Sequence, residues 1–398
     1  MKAPLSKRAL SISPSMTLGI SARAKELRAG GVSVINLSAG EPDFDTPANI
    51  KEAAKRSLDS GFTKYTATGG IPELKRAICE KLKRENGLDY SPDEVIVSCG
   101  AKHSIYNVLL AMCDEGDEVI IPSPYWTSYP EMVKMVGAKP VLVETKNTGL
   151  KLTAGDLRSS ITRRTKLIIL NSPCNPTGAV YSRDEMKAIG EVVAEHSIYC
   201  LSDEIYEKLI YDGLRHISFA SLSPELKELT ITVNGVSKTY SMTGWRIGYA
   251  AGPAEIIGAM DDLQGHSTSN PTSFCQKAAV EALTGDQKSV ETMRNEFERR
   301  RDYIVKRLNA MEGIKLVPPQ GAFYAFPDIS ELIGRTANGR TLDGSCAFCE
   351  ELLAQAGVAV VPGAAFGDDG AVRISFAASM GEIEEGMNRL EEFLKKLR

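Results

Sequence analysis

Lys238 follows an apolar run at residues 230–234, with only Gly235, Val236 and Ser237 between. A lysine placed there must have its charge solvated or lose it. Desolvation lowers the pKa of an amine, and a neutral amine condenses with an aldehyde to an imine. Ser237 and Arg246 bracket the lysine with a hydroxyl and a fixed cation, and both suit a phosphate.

Three further clusters place polar groups directly behind apolar runs. Asp203 ends the run at 197–202, where a lone carboxylate is costly unless paired. A protonated ring nitrogen is one suitable partner; a helix N-cap is the structural alternative. Tyr206, three residues on, shares that side if a helix begins there. Asn171-Ser172-Pro173-Cys174-Asn175-Pro176-Thr177-Gly178 is a turn stiffened by two prolines. It either presents Asn175 as an oriented donor or is a turn and no more. Ser98-Cys99-Gly100-Ala101-Lys102 joins a strand to a helix. Exposed N–H groups and the helix dipole make such a turn an anion site, although an ordinary βα loop looks the same.

All four clusters fall at the ends of predicted strands, and open α/β sheets bind ligands at the carboxyl ends of their strands. Together they offer a phosphate cradle, an imine-forming lysine, an acid for a ring nitrogen and a polar turn. Pyridoxal 5′-phosphate needs this set, because a protein must hold its phosphate, its pyridine nitrogen and its aldehyde.

The order G-A-K, P-Y-W, N-x-P-x-N-P-T-G, S-D-E-I-Y, S-K-x-x-x-M-T-G-W-R-I-G and V-R-I-S resembles the class I, fold-type I aminotransferases, from Ala39 to Arg373. Within them it looks most like the bacterial and plastid-type aspartate aminotransferases. Those carry A-G-E-P-D-F-D-T-P near the N-terminus and G-A-F-Y in the small domain, here residues 39–47 and 321–324. The resemblance implies that Lys238 binds the cofactor covalently and carries the proton of the reaction. It implies that Asp203 keeps the pyridine nitrogen protonated and that Tyr206 and Asn175 bond the ring's 3-oxygen. Trp126 would stack on the ring, and Gly100, Ala101, Ser237 and Arg246 would hold the phosphate. Tyr65 would reach the phosphate of a neighbouring subunit, making a homodimer with shared sites. Arg373 would pair with the substrate α-carboxylate, and Gly40 would let the backbone approach it. Trp126 and Asn175 also border the substrate. A distal carboxylate would meet Lys102, assisted by Ser15 and Thr17; otherwise Lys102 solvates a helix start.

Strand-like runs at 94–98, 118–121, 166–171, 197–202 and 230–234 must position these groups. Helical patterns at 101–112 and from 182 alternate with them. Continuous apolar strands between helices predict a mostly parallel sheet with helices on both faces. A long charged helix at 287–310 then leads to short strands at 323–326, 358–361 and 371–375 and a closing helix at 380–397. The expected architecture is the α/β fold of type I pyridoxal-phosphate transferases plus a smaller α+β domain. Residues 1–47 form an N-terminal segment packing with the small domain, 48–290 the large cofactor-binding domain and 291–398 the small one.

The chain has 398 residues, 43% hydrophobic and 25% charged, with a formal net charge of −4. These are globular values. The acidic balance argues against nucleic acid as a partner. No apolar stretch nears the roughly 18 residues of a membrane span, and the start carries no apolar run of a secretory signal. Eight scattered cysteines suit reduced thiols in the cytoplasm. Cys346 and Cys349 lack a second pair, the four histidines are scattered, and no metal site is read. Arg299-Arg300-Arg301 reads as a solvated helix face.

The leading expectation is ping-pong exchange between L-aspartate and 2-oxoglutarate, giving oxaloacetate and L-glutamate. The alternatives are a transaminase for prephenate, aromatic amino acids or alanine, and a carbon–sulfur lyase on the same fold. Relatives that use prephenate tend to carry a lysine before the N-terminal Pro-Ser, where this chain has Ser13. A regulator of the same fold would need a preceding DNA-binding domain. The aminotransferase pattern begins within the first ~15 residues, so none is expected.

Overall fold

The computed structural model of the chain describes residues 5–14 and 16–398. Seven strands form one sheet: β1 Val95–Ser98, β2 Glu118–Ser123, β3 Lys139–Glu144, β4 Thr165–Asn171, β5 Tyr199–Asp203, β6 Thr230–Gly235 and β7 Gly248–Ala251. Their spatial order is β1-β7-β6-β5-β4-β2-β3. All run parallel except β7, which is antiparallel to both neighbours.

The apolar runs are continuous because both faces are covered. Val95 and Val97 pack with Ile50, Leu74, Ile78 and Ala278 from one helical layer. Ile96, between them, turns to Ile105, Val108 and Leu109 of the helix Ala101–Met112 on the other. Two strands go beyond the sequence expectation. β3 carries Pro140 and a half-exposed Leu142, which an edge position tolerates. β7 is Gly-Tyr-Ala-Ala, with little intrinsic strand preference. It is held by pairing on both sides, with Gly248 opposite Ser98 on one and Gly235 on the other.

The helix expected at 287–310 spans Lys288–Asn309. Its Val290 packs with the core beside the sheet, whereas Met293, Phe297, Ile304 and Leu308 join Phe323, Tyr324, Phe348, Ile374 and Phe393 in a second core. The short strand Ile35–Asn36 pairs in parallel with Val358–Ala359, so the early chain adds to this second layer.

The arginine run corrects the sequence reading. Arg299 is exposed beside Glu296, but Arg300 and Arg301 are each only 4% exposed. Arg300 makes a bidentate contact with Asp43, and Arg301 another with Asp212. Their partners lie far away in sequence, which is why the local charge pattern looked solvated. All eight cysteines are free thiols. Among the described residues no helix is long and apolar enough to cross a membrane.

Candidate active site

The carboxyl ends of β1, β2, β4, β5 and β6 open on one cavity of about 470 Å³. Its lining includes Gly40, Ala101, Lys102, Trp126, Asn175, Asp203, Tyr206, Ser237, Lys238, Arg246, Arg373 and Thr17. Sequence reasoning named each of these. Ser15 lies outside the described residues. Tyr65 does not line the cavity of its own chain and is 91% exposed.

Gly100 takes φ +88°, and a Cβ there would sit 2.3 Å from Arg246 Nη2. The glycine therefore lets the guanidinium lie against the turn that opens the helix Ala101–Met112. Arg246 itself adopts a left-handed φ of 57° and donates to the carbonyls of Thr243 (2.8 Å) and Cys99 (3.3 Å). Such a conformation in a non-glycine residue is a mark of functional sites. Gly248, opposite, is as constrained: a Cβ would meet the Ala101 nitrogen at 2.1 Å. A helix N-terminus, the buried Ser237 and a fixed arginine thus converge on one anion-sized corner.

Lys238 is half-buried and donates to the Gly40 carbonyl at 2.6 Å. Burial lowers its pKa to about 8; Arg373 and Arg246 push the same way, against Glu41 and Asp203. Asp203 moves oppositely. Burial raises its carboxyl to about 6, despite bonds from the Tyr129 hydroxyl (2.7 Å) and the Ile205 N–H (3.2 Å). No helix begins at Asp203. Residues 205–208 form a turn closed by the Glu207 N–H to the Glu204 carbonyl and the Leu209 N–H to the Tyr206 carbonyl, with the Ile205 bond to Asp203 at its start. Tyr206 reaches the cavity from that turn, where its hydroxyl meets that of Tyr324 at 3.0 Å.

The Asn171–Gly178 segment has a second internal tie: Asn171 Oδ1 accepts the Asn175 N–H at 2.8 Å, while its Nδ2 donates to the Asp203 carbonyl at 3.0 Å. Asn175 Oδ1 accepts from Arg373 Nη1 at 3.0 Å, which leaves the Asn175 amide nitrogen for another acceptor. Arg373 is 3% exposed, donates also to the Ser38 carbonyl (2.9 Å) and lies over the Tyr324 ring at 4.3 Å. Its Nε is buried without a partner among the described residues, and burial lowers its pKa. A buried guanidinium with N–H groups to spare calls for a carboxylate. Lys102 sits over the Trp126 ring at 4.9 Å, with its pKa lowered by burial and then by Arg246.

Tyr129, Asn171 and Tyr324 escaped sequence reasoning as site residues. Tyr129 lies three residues past Trp126, but nothing local shows that it points at Asp203. Tyr324 stood in view within G-A-F-Y, yet its contacts with Tyr206 and Arg373 come from far along the chain.

The residues fit a phosphorylated pyridine aldehyde on the structure's own terms. Gly100 clears room for Arg246 at the anion corner, Lys238 is poised near neutrality, and a buried carboxyl faces the opposite end. Sheet, carboxyl-end cavity and lysine together define the class: an α/β transferase of fold type I. Comparison with known proteins carries this further. The profile of the family Aminotransferase class I and II matches residues 32–390. The chain is 52% identical to an aspartate aminotransferase of Bacillus sp. strain YM-2, over 99% of this chain and 100% of that one. It is also 52% identical to an aspartate/prephenate aminotransferase of Cereibacter sphaeroides, over 96% of each. The crystal structure of the aspartate aminotransferase from Rhizobium meliloti superposes with a TM-score of 0.96 at 46% identity, covering 100% of both chains. The chain belongs to the class I and II aminotransferase family.

Proposed function

We propose that this enzyme transfers the amino group of L-aspartate to 2-oxoglutarate, reversibly, with pyridoxal 5′-phosphate in the cavity. The observation that carries the reading is the placement of Lys238 between a buried acid, Asp203, and a buried arginine with an unpartnered N–H, Arg373. When bound, the cofactor supplies an electron sink for the substrate's α-carbon. The chain's residues do the rest. Ala101, Ser237 and Arg246 bind the phosphate, Asp203 holds a proton at the ring nitrogen, and Trp126 covers the ring. Asn175 and Tyr206 orient the ring oxygen. Arg373 fixes the α-carboxylate, and the Lys238 Nζ, neutral above about pH 8, takes and returns the α-proton. Lys102 and Thr17 face the distal carboxylate.

The exposed Tyr65 suits a role in a partner's cavity, so the enzyme is proposed to be a homodimer. An active monomer in sedimentation would overturn this. The two cores support a large domain at 48–290 and a small one at 291–398 joined by the early chain. A cytoplasmic setting agrees with the free thiols. The function is tested by half-reactions of the loaded enzyme with single amino acids, followed by absorbance. Aspartate and glutamate react fastest; faster reaction with alanine or aromatic amino acids overturns the assignment.

A further inference from the structure

We infer that Lys25 is a second specificity-determining cation, drawing the substrate's distal carboxylate into the cavity from the N-terminal helix. The inference rests on the dicarboxylate reading above and adds a residue to it. The helix Met16–Ala29 lines the cavity with Thr17, Ser21 and Lys25. Their spacing of i, i+4 and i+8 places them on one stripe of the helix. Ser21 fixes the register of that stripe: its hydroxyl lies 3.2 Å from that of Ser38, whose carbonyl accepts from Arg373. The helix is thereby tied to the segment that holds the α-carboxylate arginine. At 1.5 Å of rise per residue, Lys25 stands about 6 Å along the axis from Ser21, on the wall of the same cavity that Arg373 lines.

Charge accounting separates Lys25 from its neighbours. On the same helix Arg23 pairs with Glu26 and Arg28 with Glu382, both away from the cavity. Inside the cavity Arg373, Arg246 and Lys238 each donate to fixed oxygens, and Lys102 lies over the Trp126 ring, so among the described residues Lys25 and Lys102 are the two cations left for an incoming anion. Lys25 is exposed and makes no hydrogen bond or ion pair with a described residue. An uncompensated cation on a cavity wall raises the local concentration of dianions and pairs with their outer charge.

The test compares holoenzymes carrying Lys25→Met, Lys25→Arg and, in parallel, Lys102→Met. Steady-state constants are measured with aspartate and with alanine, and binding of a non-reacting dicarboxylate such as maleate is measured by calorimetry. Lys25→Met is expected to raise the aspartate KM and weaken maleate about 3- to 10-fold. Its kcat stays near wild type, alanine changes less than about twofold, and Lys25→Arg restores most of the loss. Added salt erodes aspartate affinity less in Lys25→Met than in wild type. Equal losses with both amino acids, or none, would overturn the inference. If Lys102→Met discriminates and Lys25→Met does not, only this inference fails. If neither discriminates, the dicarboxylate reading fails with it.

Discussion

Tyr129 donates its hydroxyl to Asp203 Oδ2 at 2.7 Å, and both side chains are buried. The Ile205 N–H occupies Oδ1, so the carboxyl is held from two sides while it lines the cavity. Under the proposed function, a cation at the ring nitrogen would complete the set of partners for this buried anion. Asp203→Ala should therefore cost transamination about 3–4 kcal/mol in kcat/KM, the scale of a key electrostatic group. Tyr129→Phe should cost about 0.5–1.5 kcal/mol, one neutral hydrogen bond. Steady-state kinetics check both, and an Asp203→Ala enzyme within about threefold of wild type removes the assigned role.

Lys238 makes a pH prediction. Its folded pKa of about 8 lies below the 10.5 of a free lysine, with burial the leading cause. The neutral amine needed to capture an aldehyde then grows as pH rises through about 8. Between 8 and 10.5 the unfolded chain holds a proton that the folded one lacks, so this group's penalty eases and stability rises as pH rises. Cofactor uptake by the empty enzyme, followed by absorbance, should accelerate from pH 7 to 9. Lys238→Ala should lose both that rise and all turnover. A flat uptake profile in wild type would contradict the lowered pKa.

Behind Asp203 lies a buried ionic network. Glu204 accepts from Ser202, Ser218, the Phe219 N–H and His216, and Glu207 accepts from Lys81 and Asn86. Glu204, Glu207 and His216 stand close enough to hold a cation, but these partners already occupy their oxygens. Burial raises the Glu207 carboxyl, yet Lys81, His216 and Asn86 outweigh it and hold it at about 2. Its folded pKa is depressed, so its contribution is present above about 4.5 and lost as pH falls toward 2. Lys81→Met strands that charge and should cost about 3–5 kcal/mol of stability. Denaturant unfolding at pH 7 checks this, and a loss under about 1 kcal/mol would show that the pair is dispensable.

What the sequence disclosed and what it hid divide along chain distance. The helix at 101–112 and the strand ends near Ser98, Asn171, Asp203 and Gly235 were legible to within a residue because continuous apolar runs stop where polar clusters begin. β7 was not, since Gly248-Tyr249-Ala250-Ala251 becomes a strand only between β1 and β6. Arg300 and Arg301 looked solvated because Asp43 and Asp212 are remote. Tyr206 was placed in the cavity on the premise of a helix, whereas a backbone-closed turn at 205–208, anchored at its start by Asp203, brings it there.

Gly248 shows what that hidden strand does. It lies against the proposed anion corner, and a Cβ would strike the Ala101 nitrogen. Gly248→Ala must move backbone on one side or the other, at about 1–3 kcal/mol of stability. Because the displaced group is the helix N-terminal N–H, cofactor affinity should fall by about tenfold or more. Equilibrium dialysis with the cofactor checks it; unchanged affinity in a folded variant would place the phosphate elsewhere.

Lys102 carries the last prediction. Arg373 is engaged by Asn175 and Ser38, and under the proposed function it takes the α-carboxylate, so a second carboxylate needs another cation. Lys102 lines the same cavity one residue past Ala101, over the Trp126 ring, and makes no ion pair with a described residue. Burial and then Arg246 lower its pKa. A dicarboxylate substrate supplies an anion. A charge-assisted contact in a closed site contributes about 1.5–3 kcal/mol, or about 10- to 150-fold in kcat/KM. Lys102→Ala should lose that much with aspartate and glutamate and little with alanine, for which no second charge is left unpaired. An equal loss with all three would mean that Lys102 serves the phosphate corner or the helix start, because either role acts before the substrate's side chain is read.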